Sequence, residues 1–180
     1  MPPRALCLLV DGFEEIEAVT PIDLMRRAGI EVVVAAMGQT LHAIGRSGIT
    51  LMADVILDPS PTAEPFDLLL IPGGPGVANL RTDGRAASLA GDFHTAGKTI
   101  AAICAAPLVL MDAGLLVSCK FTAHISTRDE LPDAVDARVV TDGHILTSRG
   151  AGTSTDFALA IITALVGEAA AKEIATSIMA

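Results

Sequence analysis

Residues 4–36 read RALCLLVDGFEEIEAVTPIDLMRRAGIEVVVAA, and the fold class turns on this stretch. RALCLLV (4–10) is a short apolar run that empties into Asp11-Gly12, the pattern of a buried strand ending in a turn. From Phe13 to Gly29 the period changes. Ile16, Val19, Leu24 and Ala28 keep helical spacing, acids crowd the start, Arg26 and Arg27 close the last turn and Gly29 stops it. Pro21 inside this segment predicts a kink or a late start. IEVVVAA (30–36) is a second strand. Strand, crossover helix and strand in this order form the parallel unit of an α/β sheet.

The remainder extends that sheet. HAIGRSGITLMADVIL (42–57) reads as an extended excursion with a small antiparallel ribbon. FDLLLIPGG (66–74) is a buried strand running into Pro-Gly-Gly, TDGRAASLAGDFHTAG (82–97) suits one helix, and KTIAAIC (98–104) is the next strand. AAPLVLMDAG (105–114) starts a helix with Pro107 in its first turn, where a missing N–H costs nothing. ARVVTDGHILTS (137–148) predicts a hairpin turning at Asp142-Gly143, and residues 153–180 are helical with a break near Gly167. Without repeats or linkers, residues 1–180 are expected to form a single domain.

Composition narrows the function classes. The formal charge is −9 and no Lys/Arg cluster exceeds Arg26–Arg27, which argues against nucleic acid or an anionic membrane as partner. Five Phe and no Trp or Tyr leave no base-stacking platform. The apolar run before Asp11 is too short for an export signal or a membrane span. Cys7, Cys104 and Cys119 are an odd set without CxxC spacing, so neither a disulfide framework nor a zinc knuckle is expected. The cytoplasm is the expected compartment, and scattered His42, His94, His124 and His144 predict no metal site.

In open α/β sheets, function collects beyond the carboxyl ends of the strands. Three such ends stand out: residues 11–17, residues 72–76 and residues 103–107. The last holds Cys104 between small residues, Ala102 and Ala106, at a strand-to-helix joint. A sharp nucleophile elbow crowds those flanking positions, and a following helix N-terminus would lower a thiol pKa. The competing reading is a small buried hydrophobe, which is what most free cysteines are and which Cys7 and Cys119 are expected to be. Gly73 and Gly74 offer N–H donors that approach an anion closely, but GGPGVA lacks the residues of a nucleotide loop.

AAICAAP (101–107), FEEIEAVTPIDLMRRAGI (13–30), LLIPGGPG (69–76) and LTSRGAGTSTDFALAI (146–161) together resemble the ThiJ/PfpI superfamily, in its DJ-one branch. The resemblance implies a flavodoxin-like three-layer sandwich with a mainly parallel sheet, similar to class I glutamine amidotransferases, and a homodimer. It carries the oxidisable cysteine onto Cys104, its partner carboxylic acid onto Glu17 and a nearby histidine onto His124 of FTAHIS. The amides of Gly73, Gly74 and Ala105 match the anion-binding groups. A Glu17 kept protonated by burial would donate a hydrogen bond to sulfur, whereas an ionised one would oppose the thiolate. Ala105 stands where the protease-like branch carries histidine, which argues against peptidase activity. Ile125 follows His124 in place of a proline, and GRSGIT (45–50) only loosely matches the arginine-bearing segment of relatives.

The expected activity is cofactor-free conversion of small 2-oxoaldehydes such as methylglyoxal to hydroxy acids, or a related deglycation. The alternative is a redox sensor or stress chaperone in which Cys104 becomes a sulfinate held by Glu17.

Overall fold

The opening stretch folds as its spacing requires. In the computed structural model, which describes residues 1–59 and 61–180, β1 (Arg4–Leu9), α1 (Glu15–Arg27) and β2 (Glu31–Ala36) form the parallel crossover unit. Successive β1 side chains point to opposite faces: Ala5, Cys7 and Leu9 enter one apolar layer, Leu6 and Leu8 the other. Burial on both faces explains why the strand reads as an unbroken apolar run. Pro21 neither delays nor divides α1, which is one element with Pro21 on its buried side. Its N-cap is Glu14, whose carboxylate accepts the Glu17 N–H at 2.8 Å. Glu14→Ala is expected to lower stability by about 1 kcal/mol and the thermal midpoint by about 3 °C, measurable by calorimetry.

After β2 the chain leaves the sheet as an antiparallel ribbon, β3 (His42–Ile44) with β4 (Thr50–Met52), and returns through β5 (Val55–Ile56) beside β2. Strand β6 (Leu68–Ile71) then pairs with the other side of β1. The helix expected over 82–97 forms as α3 (Arg85–Thr95), and a helix with no counterpart in the sequence reading, α2 (Val77–Asp83), precedes it. Gly84 lies between them at φ 79°, a left-handed conformation that ends one helix and permits the turn into the next. Strand β7 (Thr99–Ile103) follows, then the short α4 (Pro107–Asp112), with Pro107 in its first turn.

The hairpin of β8 (Val139–Asp142) and β9 (Ile145–Ser148) pairs Asp142 with Ile145, so its two-residue loop is Gly143-His144, one position later than expected. Helices α5 (Ser154–Leu165) and α6 (Glu168–Ser177) end the chain, separated at Gly167 as its φ of 110° requires.

The sheet order is β5-β2-β1-β6-β7-β9-β8, parallel except for β8. Packed against one face are α1, α5 and α6, and against the other α2, α3 and α4. This is the flavodoxin-like three-layer arrangement. Its strand order reverses between β1 and β6, which places a crevice beyond the carboxyl ends of those two strands. Among the described residues no helix is long and apolar enough to cross a membrane.

Candidate functional site

The loops leaving β1 and β6 are stitched together by their backbones. The Glu14 N–H donates to the Gly73 carbonyl at 3.0 Å and the Gly76 N–H to the Gly12 carbonyl at 2.9 Å. Strand β7 ends alongside, and Cys104 is the first residue past it. Its φ of 65° is left-handed, unusual for a residue with a side chain. Two backbone bonds fix this turn: the Cys104 N–H donates to the Ser148 carbonyl, and the Cys104 carbonyl accepts the His124 N–H, each at 2.8 Å. The small residues predicted around the elbow are buried against it, with Ala102 and Ala106 fully enclosed. The sulfur is not sealed. Cys104 is half-buried and forms part of the wall of a cavity of about 460 Å³.

Glu17, the third residue of α1, points across this crevice with 1 % of its surface exposed. Its Oε2 accepts the Gly73 N–H at 3.1 Å, and the carboxyl stands close enough to the Cys104 side chain for each to shift the other's pKa. Only glycine fits at position 73. A Cβ there would lie 2.5 Å from Glu17 Oε2 and 2.6 Å from Cys104 Cβ, driving the two groups apart. The expected oxyanion set is therefore divided. The Gly73 amide serves the carboxyl, while the amides of Gly74 and Ala105 face the sulfur.

Burial pushes the Glu17 carboxyl up to about 7, helped by the negative charge of Glu14 and opposed by the hydrogen bonds from Cys104 and Gly73. Burial also pushes the Cys104 thiol up to about 12, followed by the charge of an ionised Glu17. A lowered thiol pKa from the helix N-terminus does not result. Six-residue α4 supplies a small dipole, and desolvation outweighs it. The two groups titrate as a pair: both are protonated below about 7, and above that one proton remains between them.

His124 stands on the same wall. Its Nδ1 accepts the Ser126 N–H at 3.2 Å and lies 2.8 Å from Ser126 Oγ, an arrangement that assigns the proton of the neutral ring to Nε2. Ile125 opens a single 3₁₀ turn and projects outward, 74 % exposed, so the turn after His124 forms without a proline.

Two arginines line the cavity: Arg46, from the GRSGIT segment that only loosely matches the arginine-bearing stretch of relatives, and Arg81, which the sequence reading missed. Arg46 reaches the cavity from the loop between β3 and β4, and among the described residues it has no ion-pair partner. Its backbone N–H donates to the Phe13 carbonyl at 2.8 Å, a link between segments that no local pattern announces. Arg81 also lines the cavity, but Asp112 and Glu130 hold its guanidinium. Cys7 is enclosed in the core, where burial pushes its thiol up to about 12, and Cys119 is raised by burial and Asp142. Both fit the inert reading.

Comparison with known proteins agrees on the family and the fold. The family model described as the DJ-1/PfpI family matches residues 3–164. The chain is 39 % identical to Protein DJ-1 homolog B of Arabidopsis thaliana over 92 % of its own length, but spans only 38 % of that longer protein. It is 34 % identical to Deglycase TK1284 of Thermococcus kodakarensis, covering 83 % of this chain and 91 % of the relative. Among solved structures, oxidized Toxoplasma gondii DJ-1 superposes with a TM-score of 0.92 at 35 % identity, over 98 % of each chain.

Proposed function

The chain belongs to the DJ-1/PfpI family, and from that premise we propose that it converts small 2-oxoaldehydes such as methylglyoxal to hydroxy acids, or removes the adducts they form, without a cofactor. The observation that carries this reading is the buried Glu17 carboxyl and the Cys104 side chain meeting across Gly73, where a single Cβ would touch both, at the edge of an open cavity. A relative of similar length bears the name deglycase.

The roles follow from the proton held by the pair. With that proton on Glu17, the charge that raises the thiol is gone, and the carboxyl O–H together with the Gly74 and Ala105 amides stabilises a thiolate. The Cys104 sulfur adds to the aldehyde carbon, and the carbonyl oxygen takes the Glu17 proton to give a hemithioacetal. The resulting carboxylate removes the proton from C1 to form an enediolate; His124 Nε2 gives its proton to the C2 oxygen and takes the one released by the C1 hydroxyl, and Glu17 returns its proton to C2. The product is a lactoyl thioester on Cys104. Water cleaves it, restoring the thiol and releasing lactate, so methylglyoxal and water are the only inputs. His124 presents Nε2–H to substrate oxygen, since its other nitrogen is engaged by Ser126. Arg46, which makes no ion pair among the described residues, favours the developing enediolate.

Purified protein in chelator-treated, thiol-free buffer is expected to convert methylglyoxal to an equal amount of lactate, followed by proton NMR. Consumption no faster than in protein-free buffer overturns the proposal.

A second reading has its own support. The same protonated carboxyl and amides fit a sulfinate oxygen on Cys104, and a structural relative is described as oxidized. Under mild peroxide this sensor reading expects two added oxygens on Cys104, lost in Glu17→Leu, by mass spectrometry.

The apolar Ile16 and Val19 on α1, with Ile49 and Met52 on the neighbouring ribbon, lie exposed. Glu15 ties the two segments through the Ser47 N–H at 2.7 Å. We assign this surface to a homodimer, and three unpaired thiols to a reducing compartment, the cytoplasm.

The raised Glu17 pKa also sets a pH dependence of stability. A carboxyl at about 7 in the folded chain binds a proton that the unfolded chain, at the ordinary value of 4.5, has lost. Its stabilising contribution is full below 4.5 and disappears as pH rises through 7. Glu17→Gln is expected to flatten urea-midpoint profiles between about pH 5 and 8 by on the order of 2–3 kcal/mol.

A further inference from the structure

At the opposite end of the sheet from Cys104, two histidines meet. His94 lies in the last turn of α3, and His144 occupies the turn between β8 and β9. His144 Nε2 is 2.9 Å from His94 Nδ1, their ring centroids are 4.7 Å apart and the ring planes are inclined by 44°. Two imidazoles joined end to end across that nitrogen–nitrogen distance would hold their centroids farther apart. The two rings share a hydrogen bond, somewhat bent, and the same two nitrogens stand at the separation of neighbouring ligands of one ion.

We propose that His94 and His144 form a surface site for a divalent transition-metal ion that favours square-planar nitrogen coordination, Cu²⁺ or Ni²⁺. The span decides the class. With metal–nitrogen bonds of roughly 2.0–2.1 Å, a 2.9 Å separation closes at about 90°, the cis angle of a square-planar site. A tetrahedral ion such as Zn²⁺ would need the nitrogens about 3.3 Å apart. Among the described residues no third His, Cys, Asp or Glu joins the pair, so water fills the remaining positions and the affinity belongs to the micromolar range.

The backbone on both sides holds the rings in place. The Ile100 N–H donates to the His144 carbonyl at 2.8 Å, and the Gly97 N–H to the His94 carbonyl at 3.0 Å. Binding needs only a tautomer change. The proton between the rings moves to the outward nitrogen of the ring that carries it, leaving one proton on His94 Nε2 and one on His144 Nδ1.

The test uses the full chain carrying Cys104→Ala and Cys119→Ala, which removes the competing thiols. One Cu²⁺ per chain is expected, with an electron paramagnetic resonance signature of two imidazole nitrogens. His94→Gln or His144→Gln should reduce the signature to one nitrogen and weaken binding about tenfold or more. In the unaltered chain, Ni²⁺ should broaden the NMR signals around residues 94 and 144 at the lowest metal concentrations, a readout independent of any substitution. Binding that survives loss of either histidine, or nickel broadening centred elsewhere, overturns the proposal.

Discussion

Replacement of Cys104 by alanine is expected to remove methylglyoxal turnover to the protein-free rate, a loss of at least about 10³-fold, while the chain stays folded. The proposed reaction builds its intermediate on this sulfur, and neither of the other thiols can substitute. Cys7 is enclosed in the core, and Cys119 lies outside the cavity. Stability should move little, because the residue contributes a strained backbone as well as packing. The left-handed φ of 65° costs a residue with a Cβ about 1–2 kcal/mol. Glycine avoids that cost. Cys104→Gly should therefore match or exceed the wild-type urea midpoint while being equally inactive. A thiol that is conformationally costly and stability-neutral, yet indispensable for turnover, is held in place for chemistry. If Cys104→Gly instead unfolds the chain, the residue is a packing element and the proposed reaction loses its nucleophile.

Much of this is legible in the sequence because it depends on local pattern. The unbroken apolar runs of β1, β6 and β7 announce strands buried on both faces, and the three loops leaving them share one crevice once the crossover is right-handed. The small residues around Cys104 announce its elbow for steric reasons that need no partner. What is not legible depends on distance. Helix α2 goes unread because it is only seven residues long, and it ends at Gly84, whose left-handed turn delays the expected helix to Arg85. Arg46 is placed only through the Phe13 carbonyl that holds its backbone, 33 residues away in sequence (46 − 13). The thiol pKa departs from expectation for the same reason. A helix N-terminus is visible in sequence, whereas desolvation by surrounding layers is not, and here it is the larger effect. The assignment of the Gly73 amide to Glu17 needs the direction of a single N–H, which the motif alone leaves free.

Gly74→Ala is expected to be the most damaging single methyl group added anywhere in the site. Gly74 has φ 98°, and a Cβ built there would stand 2.5 Å from the Gly12 carbonyl oxygen, 2.6 Å from the Glu14 nitrogen and 2.8 Å from the Phe13 carbonyl carbon. All three are backbone atoms, so no side-chain rotation relieves the contact. The loops after β1 and β6 would have to separate, breaking the bonds Glu14 N–H to Gly73 and Gly76 N–H to Gly12. Adding left-handed strain to overpacking gives a cost of about 4 kcal/mol or more, or a thermal midpoint lower by roughly 10 °C or more. Gly29→Ala separates the two contributions. Gly29 has a comparable φ of 80° and no atom within 4 Å of where a Cβ would stand, so it carries the strain without the collision and should cost about 1 kcal/mol. Calorimetry on both variants measures the difference. Equal, small losses would mean that the β1 and β6 loops yield readily, and a site whose Gly74 amide must point at sulfur could not then be held by them.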